Sequence, residues 1–180
     1  MFERYTERAR RVIFFARYEA SQLGSNYIEC PHLLLGLLRE DKGLFAKLLG
    51  SARPLANPVE SMGLKAGQEK VSTSVDLPLA PESKRVLSHA AEESEALNDE
   101  QISTGHLVLG LLRESGPARE WLEKNGLTPA SVREALRGRQ STPTNQRIVA
   151  DLRAQFGAIL ERLTPELEPA VVYKPRVEKT

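Results

Sequence analysis

The sequence predicts an all-α fold made from two copies of one helical unit. Three observations predict it. A nine-residue phrase occurs twice, as H-L-L-L-G-L-L-R-E from His32 to Glu40 and as H-L-V-L-G-L-L-R-E from His106 to Glu114. The offset of 74 residues then holds without a gap upstream, pairing Arg11 with Arg85, Val12 with Val86, Ala16 with Ala90, Glu19 with Glu93, Leu23 with Leu97 and Ile28 with Ile102. A run at constant offset marks an internal duplication. Finally, apolar residues recur at spacings of three and four, and no stretch alternates long enough to make a strand. A single module would leave a leucine-rich face in water, so the two pack face to face about an approximate twofold.

In module one, Thr6 is the expected N-cap of a first helix, with Glu7 suited to the positive helix end. Ala9, Val12, Ile13, Ala16, Ala20 and Leu23 form its inner face, and Gly24 supplies the left-handed stop. A second helix is expected from Pro31, which suits a first turn, to Arg39. Gly36 lies inside it at a cost of about 1 kcal/mol against Ala. Because it recurs as Gly110, close helix–helix contact is expected there. A third helix covers Leu44 to Leu49, and Val59 to Met62 form one turn.

Module two repeats the pattern. Its helices are expected over Pro81 to Leu97, over Gly105 to Arg113 with Thr104 as cap, over Pro117 to Lys124, and from Thr128-Pro129 to a stop at Gly138. The resulting division is a double domain over residues 1–138: repeat one 1–62, connector 63–78 and repeat two 79–138. An extension over 139–180 follows. There, Ile148, Leu152, Phe156, Ile159, Leu160 and Leu163 give an amphipathic helix of about 144–163 before a proline-containing, disordered end. That helix can fold back on the domain, dimerise or dock on a partner; the short linker favours folding back.

Composition narrows the function. A formal net charge of +1 offers no field to draw nucleic acid or anionic lipid. Arg8, Arg10, Arg11 and Arg17 are interleaved with Glu3, Glu7 and Glu19, a solvated ion-paired face rather than a positive stripe. No apolar run spans a bilayer, and the charged N-terminus is unlike a signal peptide. With one cysteine, Cys30, the expectation is a soluble cytoplasmic protein. Three histidines and one cysteine do not make a zinc set. His32 and His106 are read as orienting the starts of their helices by hydrogen bonding. Cys30 is read as a substituted cap at the position of Thr104, since a Cys30–His32 nucleophile lacks a third member. Glu40 and Glu114 are expected to pair with nearby arginines. No catalytic residue, cofactor or metal is assigned, and the protein is expected not to be an enzyme.

The opening Phe2-Glu-Arg-Tyr-Thr-Glu-Arg-Ala, the connector Leu23-Gly-Ser-Asn-Tyr-Ile and the repeated phrase resemble the Clp N-terminal (Clp repeat) domain, in the ClpC-type version that precedes bacterial AAA+ unfoldases. The resemblance covers residues 2 to about 138. It implies a double four-helix module that docks adaptors or substrate proteins for an ATPase ring. A Walker A loop requires Gly-x4-Gly-Lys-Ser/Thr. The nearest spacing, Gly105 to Gly110, is followed by Leu111-Leu112. The expectation is therefore a freestanding Clp N-domain with no ATPase or protease of its own.

The ClpC-type connector reads G-T-E-H, and its glutamate helps recognise phosphoarginine. Pro31 and Gly105 stand at those positions, and the family's threonine is kept as Thr6 but replaced by Ala80. Phosphoarginine binding is therefore expected to be weak or absent. What remains is a peptide-binding groove around Phe2, Thr6, Leu79 and Ala80. Phe14 and Tyr18 lie at about 200° and 240° from Val12 on helix one, away from its inner face. They are either covered by the tail helix or the connecting loop, or exposed as aromatic anchors for a partner. The function expected is a noncatalytic protein-binding module: an adaptor, accessory or substrate-sequestering factor for a Clp-type AAA+ chaperone–protease. The alternative is a structural accessory subunit that stabilises a Clp protease core.

Overall fold

The computed structural model describes residues 2–50, 57–64 and 77–140. Among the described residues eight helices run in the order α1 (Glu7–Gln22), α2 (Cys30–Glu40), α3 (Lys42–Leu49), α4 (Pro58–Ser61), α5 (Pro81–Ala96), α6 (Thr104–Arg113), α7 (Pro117–Lys124) and α8 (Pro129–Gln140). Met1–Arg139 form one compact unit. The amphipathic helix expected at 144–163 and the disordered end lie outside the described residues, as does most of the connector 63–78.

The all-α class and the doubled architecture hold. Within each repeat the dominant packing is helix one on helix two, α1 on α2 and α5 on α6. The stretches Cys30–Leu37 of α2 and Thr104–Leu112 of α6 are buried throughout, as central helices should be. Gly36 and Gly110 explain how they come so close. A Cβ on Gly36 would stand 2.5 Å from the Val12 carbonyl oxygen and 2.9 Å from the Ala16 nitrogen. A Cβ on Gly110 would collide with the Val86 carbonyl in the same way. The helices touch backbone to backbone, and glycine is what permits it.

Ion pairs repeat with the same register. The Arg11 guanidinium donates to Glu40 at 2.7 and 2.9 Å, and Arg85 donates to Glu114 at 2.6 and 3.0 Å. Each ties helix one to the end of helix two in its own repeat, as the pairing of Glu40 and Glu114 anticipated. A further pair, Arg39 with Glu19 at 2.9 Å, has its counterpart in Arg113 with Glu92 at 2.7 Å and Glu93 at 3.5 Å.

The two repeats are joined by exchanged main-chain bonds. Thr6 N–H donates to the Ile102 carbonyl at 3.0 Å, and Ile102 N–H donates to the Arg4 carbonyl at 2.7 Å. The counterparts are Ala80 N–H to the Ile28 carbonyl at 3.0 Å and Ile28 N–H to the Pro78 carbonyl at 2.9 Å. Each repeat thus lends the strand before its first helix to the other repeat's connector, in two isolated parallel bridges. This is an isologous contact within one chain.

Local corrections follow from capping chemistry. The N-caps of α2 and α6 are Glu29 and Ser103, not Cys30 and Thr104. The backbone N–H of Glu29 donates to His32 Nδ1 at 3.0 Å, and that of Ser103 to His106 Nδ1 at 2.9 Å. The histidine at the third helical position reaches back to the cap, which shifts each start one residue upstream. Asp41, which periodicity did not single out, caps α3 by accepting the Leu44 N–H at 3.0 Å. Gly138 does not close α8; it sits within the helix with no positive φ.

Candidate functional site

The starts of α1 and α5 lie on either side of the exchanged bridges, and a groove opens there. It has a volume of about 440 Å³ and is lined by Phe2, Tyr5, Leu79, Lys84, Leu87 and Ser88. Its aromatic wall is set by sequence. Phe2 meets Tyr5 edge to face, with centroids 5.3 Å apart and planes at 77°. Tyr5 is buried, and its hydroxyl donates to the Leu87 carbonyl at 3.5 Å, which spans the two repeats. Burial pushes the Tyr5 hydroxyl above its ordinary pKa, so it stays protonated and remains a donor. The groove is apolar at its floor, with Lys84 and Ser88 exposed at the rim.

The six residues singled out in the sequence separate into three groups. Phe2 and Leu79 line the groove. Thr6 and Ala80 stand beside it as the matching N-caps of α1 and α5. The Thr6 hydroxyl accepts the Ala9 N–H at 3.2 Å, and Ala80 is buried with its N–H on Ile28. Neither side chain forms part of the lining. Phe14 and Tyr18 lie on the outer side of α1, 65% and 36% exposed. Phe14 packs edge-on against Phe15 at 5.7 Å, and the Arg39 guanidinium lies over both the Phe15 and Tyr18 rings at 4.9 and 4.7 Å. Tyr18 holds the place of Glu92, so a cation–π contact in repeat one replaces an ion pair in repeat two.

Sequence reasoning missed Tyr5, Lys84, Leu87 and Ser88. A signal existed for Tyr5, because the offset of 74 pairs it with Leu79. Lys84 and Ser88 carry no pattern of their own; only the approach of α5 to Phe2 gives them a role.

The sites considered for metal or nucleophilic chemistry have structural occupations. Cys30 is buried, its Sγ 4.0 Å from the Ser83 hydroxyl, and burial pushes its thiol up to about 11, far from a reactive thiolate. His32 Nδ1 accepts a backbone N–H, and burial pushes its ring down to about 4. His106 uses Nδ1 for Ser103 while its Nε2 lies 3.0 Å from Asp99 Oδ2. Among the described residues no three His, Cys, Asp or Glu side chains are placed to hold a metal. Among them, too, no helix is long and apolar enough to cross a membrane.

At the positions expected to matter for phosphoarginine stand residues without a carboxylate. Pro31 is buried in the first turn of α2. At Gly105 a Cβ would meet only the far end of Leu136 from α8, a flexible side chain that can give way.

Comparison with known proteins bears on the fold and the family. Residues 4–125 match the Clp repeat (R) N-terminal domain. The chain is 32% identical over 204 residues to the chaperone protein ClpC1, chloroplastic, of Arabidopsis thaliana, covering 99% of this chain and 21% of that protein. It is 37% identical over 145 residues to the chloroplastic ClpC1 of Oryza sativa subsp. japonica, covering 74% of this chain and 15% of the relative. It thus spans about a fifth of the length of such relatives. Among solved structures it is similar to the N-terminal domain of the caseinolytic protease associated chaperone ClpD from Arabidopsis thaliana. That match has a TM-score of 0.54 and 30% identity, covering 76% of this chain and 97% of that one. The Hsp104 N-terminal domain from Candida albicans shares the fold, with a TM-score of 0.59 at 16% identity over 73% of this chain and 88% of that one.

Proposed function

Since the chain belongs to the Clp repeat N-terminal domain family, we propose that it is a noncatalytic docking module for protein segments, serving a Clp-type AAA+ chaperone–protease as adaptor, accessory or substrate-sequestering factor. The observation that carries this reading is the apolar groove at the junction of the repeats, walled by Phe2, Tyr5, Leu79 and Leu87. Concave apolar surface with a few polar rim groups is what a protein uses to seat a side chain of a partner. Phe14 and Tyr18 form a second, aromatic surface on α1 with the exposure expected of an anchor.

Recognition through phosphoarginine is not part of this reading. The carboxylates that would meet its guanidinium-like group are replaced by Pro31 and Gly105. Titration with a phosphoarginine peptide is expected to show no binding in the micromolar range.

The docking reading is tested by pull-down from native lysate, comparing the wild type with Ser88→Trp. Ser88 is exposed, so the indole obstructs the groove without disturbing the core. Client or adaptor chains are expected with the wild type and lost with the variant. Recovery of only a stoichiometric ring complex, unaffected by Ser88→Trp, would favour the structural accessory subunit instead.

A further inference from the structure

The rim of the groove specifies more than its floor. Lys84 lines it and is exposed. The positions three and four residues away along α5 are Ala80, Pro81, Leu87 and Ser88, so no carboxylate of its own helix can reach it. Across the internal repeat, Lys84 corresponds to Arg10, since 10 + 74 = 84. Arg10 is also exposed. The carboxylate one turn before it, Glu7, is held by Arg11 at 3.0 Å, and the residues one turn after it are Ile13 and Phe14. Among the described residues neither Lys84 nor Arg10 has an ion-pair partner. Arg11, Arg39, Arg85 and Arg113 on the same helix pairs all do.

The same correspondence relates Leu87 to Ile13 and Ser88 to Phe14, and it exchanges Tyr5 with Leu79. Tyr5 and Leu79 both line the groove. Its one charged flank is Lys84, with Leu87 and Ser88 beside it; the corresponding Arg10, Ile13 and Phe14 do not line the groove. An apolar cleft therefore carries at its rim one cation that has no ion-pair partner among the described residues. The cation stands on one side only, which gives the site a direction.

The geometry points to an acidic, apolar-anchored peptide segment as the occupant: one large apolar side chain enters between Phe2, Leu79 and Leu87, and a carboxylate beside it faces Lys84. This rests on the docking reading above and names the partner's chemistry. A basic segment would be repelled by Lys84, and a neutral one would gain nothing from it.

The test is fluorescence anisotropy with the full chain and three short synthetic peptides. One carries a phenylalanine flanked by aspartates. The second has lysines for the aspartates, and the third has alanine for the phenylalanine. Lys84→Glu and Ser88→Trp are the variants; both positions are exposed, and melting temperatures confirm that the fold is kept. The acidic phenylalanine peptide is expected to bind best and to weaken with added salt. It should lose about fivefold on Lys84→Glu, the scale of an exposed charge pair. The lysine peptide should bind Lys84→Glu better than wild type. Equal binding of acidic and basic peptides to wild type, or no binding by any peptide, overturns the charge inference. If Ser88→Trp abolishes binding of both charged peptides, the groove reading survives that result. If the acidic peptide binds Ser88→Trp undiminished, the groove reading itself falls.

Discussion

A histidine ring nitrogen that accepts a backbone N–H cannot also carry a proton, and this gives His32 a measurable consequence. Its Nδ1 is committed to Glu29, and burial pushes its pKa from 6.5 to about 4. Unfolded, the ring takes up a proton near 6.5; folded, it does so only near 4. Between these values the unfolded chain binds more protons, so stability falls as pH drops through that window and is level above it. The full effect is at most about 3 kcal/mol, and about 2 kcal/mol is expected by roughly pH 5. His32→Asn can keep the acceptor without the titration. Urea midpoints at about pH 7 and about pH 5 should therefore fall further for wild type than for the variant; equal falls would refute the assignment. The repeat made this role legible, because the same histidine opens the same phrase twice. The partner of Thr104 was not legible. Its hydroxyl donates to the buried Asp41 at 2.7 Å, across the two repeats and 63 residues away. In the other copy the corresponding residues are Cys30 and Ser115, so the duplication offers no hint of the bond.

At the scale of the helices, periodicity located the long elements and misjudged their ends. The α7 limits Pro117–Lys124 agree with the expectation because Pro117 and Asn125-Gly126 punctuate both sides. The starts of α2 and α6 moved because capping is decided by side chains that reach back. What holds α8 is a tertiary contact: Arg133 donates to Glu93 of α5 at 2.7 and 2.8 Å. Hydrogen bonding to Arg133 and its positive charge hold the Glu93 carboxyl below its ordinary pKa, although burial opposes this. The position matching Arg133 in repeat one is Val59, and there the fourth helix is only Pro58–Ser61. Arg133→Ala is expected to cost about 1–2 kcal/mol, discounted from a fully buried pair because the arginine is partly exposed. Hydrogen exchange should quicken along α8 while α1 to α3 stay protected. Uniform loss of protection, or none, would contradict this latch.

For the molecule as a whole, the exchanged bonds of Thr6, Ile28, Ala80 and Ile102 mean that neither repeat completes its own connector. Their amides are therefore expected to exchange only through global unfolding, with matching protection in both repeats. A chain carrying repeat one alone should lack stable helical structure by circular dichroism, since it would expose the apolar sides of α2 and leave the Ile28 bonds unmade. A folded, monomeric half would show that the repeats are independent.

By itself, the sequence determined the helical class, the duplication, the glycines at the helix crossings and the paired arginines and glutamates, because each leaves a periodic or repeated trace along the chain. Of the site it marked Phe2 and Leu79. Only the tertiary structure decided that Tyr5, Lys84, Leu87 and Ser88 join them, that Ala80 is enclosed, and that Phe14 stands in solvent. A groove is made by surfaces that approach from distant parts of the chain, and exposure depends on what folds over a residue. Neither is written in the spacing of its neighbours.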